Sequence, residues 1–71
     1  MNITPAQAQK ILTGNHAFSQ LGFSMLLTRL RGIYTKNPSQ ETLVKCTGEI
    51  NVFLSKFGPI MAADFSVISN L

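Results

Sequence analysis

The sequence predicts an all-α fold: one domain over residues 1–71, built as a small bundle of about four helices. Three observations lead there. A capping side chain stands directly before proline twice, at Thr4-Pro5 and Asn37-Pro38, and the first helical turn is where a missing backbone N–H costs nothing. Apolar residues recur every three or four positions through most of the chain, which is the period of a helix face. No stretch shows the strict alternation of a half-buried strand, and no internal repeat or low-complexity tract interrupts the pattern.

Each element has its own punctuation. Thr4, Pro5 and Gln7 form a capping-box pattern, so a first short helix is expected over about 5–13, closed by left-handed geometry at Gly14-Asn15. Asn15 can cap a long second helix over about 15–36, whose apolar positions include Phe18, Leu21, Met25, Leu26, Leu30 and Ile33. Pro38 ends it, because proline disfavours helical geometry at the residue before it. Asn37-Pro38-Ser39-Gln40 repeats the opening pattern and starts a third helix over about 38–57. Its apolar seam of Leu43, Cys46, Ile50, Phe53 and Phe57 is spaced 3-4-3-4, as in helices that pack on one another. Gly58-Pro59 breaks the pattern ahead of a short fourth helix over about 59–70. The two long helices, joined by so short a connection, are expected to run antiparallel.

Helical wheels then assign places. The apolar stripe of the third helix covers roughly a third of its circumference, whereas that of the second covers roughly two-thirds. The second helix is therefore expected at the centre, with Phe23, Leu27, Leu30 and Tyr34 as candidate interface residues for another subunit. Two charges break the apolar pattern: Arg29 projects among Phe18, Gly22, Met25 and Ile33, and Asp64 among Ile60, Ile68 and Leu71. Burying either alone is costly, so a buried Arg29–Asp64 ion pair is expected.

Size argues for association. A chain of 71 residues buries only about 60% of its unfolded surface. Small domains find additional stability in disulfides, metals or partners. Cys46 and His16 are the sole residues of their types, which leaves no internal disulfide and no Cys/His zinc site. With 45% hydrophobic and 13% charged residues, a homodimer or another protein partner is the expectation.

Little chemistry is on offer. Glu41 and Glu49 fall on the solvated side of the third helix, His16 reads as an exposed first-turn residue, and Cys46 sits on the apolar seam, where a thiol behaves as a small hydrophobe. The five glycines match no phosphate-loop spacing. The sequence therefore predicts no enzyme, no cofactor, no metal and no small-molecule substrate. A net charge of +3 is spread over scattered Lys and Arg residues, a weak footprint for nucleic acid. The alternative to an interaction module is a small DNA-binding regulator, in which the first two helices and the turn at Thr13-Gly14-Asn15 resemble a helix-turn-helix. No secretory leader is read at the N-terminus. The longest uncharged run, Ile11 to Thr28, is interrupted by polar residues, so no membrane span and a cytoplasmic setting are expected.

Overall fold

Capping chemistry sets the first boundary. In the computed structural model, which describes residues 2–71, the Thr4 hydroxyl accepts from the Gln7 amide at 3.2 Å and the Gln7 side chain accepts from the Thr4 amide at 2.9 Å. Helix α1 runs Pro5–Thr13, α2 Leu21–Lys36 and α3 Gln40–Phe57. A 3-10 turn, Gly58–Met61, then leads directly into α4, Ala62–Ser69. Among the described residues there is no strand.

Gly58-Pro59 does not separate two helices. Gly58 keeps right-handed helical angles, φ −48 and ψ −46, and Pro59 falls in the first positions of the 3-10 turn, where its lack of an N–H is harmless. The path Gln40–Ser69 is therefore one continuous helical run that tightens locally, so the body consists of three helical segments.

Two other starts differ from expectation. Helix α2 begins at Leu21, not near Asn15. Residues 15–20 are held out of the helix because Asp64 binds the Ser19 and Gln20 amides and the Phe18 ring packs edge-on against Phe23, with centroids 4.9 Å apart. Helix α3 is capped by Ser39, which accepts from the Thr42 amide at 3.2 Å, rather than by Asn37. Gly14 also differs: its φ of −95 and ψ of 179 are extended, and no described residue has positive φ. Its lack of a side chain matters for space. A Cβ there would stand 2.7 Å from the Lys10 carbonyl oxygen and 2.7 Å from Nδ1 of His16.

Helices α2 and α3 are antiparallel, since the Gly22 position abuts Phe53 while Arg29 reaches Glu49 further back along α3. The central element is α3, not α2: α3 packs against α1, α2 and the 3-10 turn and buries Thr42, Leu43, Cys46, Thr47, Ile50 and Leu54. The seam runs Leu43, Cys46, Ile50, Leu54, while Phe57 remains 43% exposed. Helix α1 lies across both long helices, adding Ala8, Ile11 and Leu12 to the core. Side chains fasten it there. Arg31 of α2 donates to the Ile11 carbonyl at 3.1 Å, satisfying an acceptor that a helix C-terminus leaves unpaired, and Gln9 donates to the Tyr34 hydroxyl at 3.2 Å. Asn51 of α3 holds the segment before α1 at two points, accepting from the Ile3 amide at 2.7 Å and donating to its carbonyl at 3.1 Å.

The interior is complete within one chain. The accessible surface, 4288 Å², agrees with the roughly 4,400 Å² of a compact monomer of this mass. Phe23, Leu27 and Leu30 are fully buried and Tyr34 is 9% exposed. They form the core against α1 and α3 and cannot meet another subunit, which corrects the expected interface. Each contributes about 1.5–3 kcal/mol by leaving water. What remains apolar and exposed on α2 is a different row: Leu21, Met25 and Ile33.

Candidate functional site

The most polar buried point is Asp64, 3% exposed on the first turn of α4. Its carboxylate accepts from the Ser19 amide at 2.7 Å, the Ser19 hydroxyl at 2.9 Å and the Gln20 amide at 3.1 Å. Burial by itself would push this carboxyl up, but donation from Ser19 and Gln20 favours the charged form and holds it below its usual range. Asp64 thus does from α4 what an N-cap side chain does locally: it satisfies amides just before α2. The Gln20 side chain completes the start by accepting from the Gly22 amide at 2.9 Å.

Arg29 is not its partner. Arg29 pairs with Glu49 of α3, and both side chains are about half exposed, 53% and 46%. The helical wheel places Arg29 within an apolar arc, yet that part of the arc faces solvent. The expected buried Arg29–Asp64 pair is therefore replaced by a surface pair and a carboxylate capped by backbone.

The remaining chemistry-bearing residues do not converge. Cys46 is 1% exposed, and burial pushes its thiol up, away from reactivity. His16 lies in the extended connection, not in a first helical turn. Its Nδ1 is buried without a hydrogen-bond partner and packs beside Gly14. Among the described residues no three His, Cys, Asp or Glu side chains gather where a metal could be held. The helix-turn-helix likeness also loses its basis, because the whole stretch from Gly14 to Gln20 separates α1 from α2, far longer than the tight turn of that motif.

The outer surfaces of α2 and α3 carry more information. Leu21, Met25, Arg29 and Ile33 follow at four-residue intervals on α2, with Leu21 72%, Met25 65% and Ile33 42% exposed. Across the Arg29–Glu49 pair, α3 presents Val44 and Val52, 52% and 55% exposed. Lys45, Gly48, Glu49 and Val52 line an open depression on this face of α3. The helical pattern assigns this side of α3 to solvent and gives its valines no role, although their four-residue spacing about Gly48 is visible in the sequence. Gln40–Ser69 is also long and apolar enough by composition to cross a membrane, but its inward face is the core just described.

No protein-family model, no curated protein and no solved structure matches this chain.

Proposed function

We propose that this chain is a small helical protein–protein interaction module that assembles as a homodimer in the cytoplasm. One observation carries the proposal: after the core has closed, large apolar side chains remain at regular helical intervals on the outer faces of α2 and of α3, with Leu21, Met25, Val44 and Val52 each more than half exposed. Single scattered apolar residues are ordinary on a monomer, whereas exposed apolar rows along a helix face are what an interaction surface presents. No catalytic or cofactor role is assigned: Asp64 is engaged in a cap, Glu49 in a surface pair and Cys46 in the core.

In this proposal the chain is a single packing unit, with α4 continuing from α3 through the 3-10 turn. It anchors the start of α2 through Asp64 and leaves the outer faces of α2 and α3 free. The apolar run Gln40–Ser69 serves as a core helix, its inner side occupied by Leu43, Cys46, Ile50 and Leu54.

Sedimentation equilibrium tests the assembly. A dimeric mass at tens of micromolar is the expected result, and a monomeric mass across that range overturns it.

A further inference from the structure

On the outer face of α3 two valines are symmetric about Gly48, with an acidic side chain toward one end of the helix and a basic one toward the other. Val44 and Val52 stand four residues on either side of it, Glu41 lies one turn beyond the first and Lys56 one turn beyond the second. All five residues are exposed. A Cβ built at Gly48 would meet nothing within 4 Å, so nothing inside the subunit calls for glycine at the middle of this helix, where it weakens the helix relative to alanine. Glycine there allows another backbone to come close.

We infer that α3 packs antiparallel against α3 of a second copy, with the two-fold axis at Gly48. An isologous contact of this kind requires a face complementary to itself when turned end for end. This face meets that condition. Val44 comes opposite Val52 of the other copy, and Glu41, seven residues before the axis, comes within one residue of its Lys56, eight residues beyond it, each twice by symmetry. Lys56 has no ion pair within the subunit among the described residues, whereas Glu41 and Glu49 are held only by the exposed pairs with Lys45 and Arg29.

Charge selects a second copy as the occupant. The three acidic side chains are Glu41, Glu49 and Asp64, and Asp64 is buried, so both exposed side-chain carboxylates lie on α3. Elsewhere Lys10, Arg31 and Lys36 have no Asp or Glu partner among the described residues, Lys10 donating instead to the Leu71 main-chain oxygen and Arg31 to the Ile11 carbonyl. Two copies of a basic protein meet with least repulsion through the one face that holds both signs.

The arrangement presupposes the homodimer proposed above, and disulfide trapping separates the two ideas. Cys46 is 1% exposed, so a cysteine introduced on the surface is the accessible thiol. Chains carrying Val44→Cys and chains carrying Val52→Cys are oxidised separately and as a mixture, with circular dichroism confirming the fold. A covalent dimer joining one variant to the other in the mixture, with neither variant linking to itself, is the expected result. Self-linkage of a single variant would mean a parallel arrangement or a two-fold axis away from Gly48, and overturns the inference. Absence of any linkage, with the unmodified chain still dimeric by mass, assigns the dimer to another face and overturns it too. A monomeric unmodified chain removes the dimer itself. As a second reading, Gly48→Ala should weaken association about tenfold by keeping the helices apart, while unfolding of the diluted monomer shifts to higher temperature. Unchanged association in that variant also overturns the inference.

Discussion

Asp64 accepts hydrogen bonds from both the amide and the hydroxyl of Ser19, 45 residues earlier in the chain. A carboxylate on α4 thereby determines where α2 starts. Removing it leaves the Ser19 and Gln20 amides without their acceptor in a partly buried position. Asp64→Ala should cost about 3 kcal/mol, lowering Tm by roughly 15 °C in a domain this small. Asp64→Asn, which keeps one acceptor oxygen, should lose distinctly less. Thermal denaturation of both variants measures the difference, and equal losses would mean that hydrogen bonding is not what Asp64 provides.

The same carboxylate makes the fold acid-sensitive. Its folded pKa lies below the ordinary 3.8, so the unfolded chain takes up this proton first as pH falls. The stabilisation is fully present above pH 3.8 and is lost on acidification from there toward the folded value. Urea denaturation between pH 6 and pH 2 should show this loss, and Asp64→Asn should flatten that limb of the curve.

Arg29 and Asp64 should be energetically independent. Arg29 pairs with Glu49 in the open, where ion pairs contribute roughly 0–1 kcal/mol. The double variant Arg29→Ala with Asp64→Ala should therefore lose the sum of the single losses, as expected for residues with no shared partner. A coupling energy well above 0.5 kcal/mol, taken as about the limit of additivity, would contradict the geometry.

Two glycines should respond in opposite directions. Gly14→Ala forces a methyl against the Lys10 carbonyl and the His16 ring and should destabilise by about 1–3 kcal/mol through overpacking. Gly32→Ala adds a methyl in open space within α2 and should stabilise by about 0.5–1 kcal/mol, because glycine is a poor helix former. Paired melting curves read both signs directly.

The two sides of α2 should differ just as sharply. Leu27 is fully buried while Met25 is 65% exposed. Leu27→Ala should cost about 3 kcal/mol by opening a cavity, whereas Met25→Ala should stay within roughly 0.5 kcal/mol. Both are measured by denaturant unfolding at a dilution where the chain is monomeric.

Local chemistry is legible in the order of the residues alone. The Thr4–Gln7 capping box, the end of α2 ahead of Pro38 and the burial of Cys46 all follow from groups near one another in sequence. The exposed side of α3 is legible as well, though the significance of Val44 and Val52 about Gly48 comes from their exposure once the helices have packed. The interface expected at Phe23, Leu27, Leu30 and Tyr34 fails for a definite reason. A wheel counts how much of a helix is apolar but does not say which part of that arc its neighbours will cover, and α1 and α3 together cover the part containing those four residues.

By itself the sequence determined that this chain is helical and where capping side chains and prolines bound several of its elements, because helix periodicity and capping act within a few residues. Only tertiary structure decided that α2 waits until Leu21, that Arg29 faces Glu49 and that α3 lies at the centre. Those outcomes depend on groups far apart in the chain, such as Ser19 and Asp64, whose meeting is dictated by how the apolar faces close together rather than by any local preference.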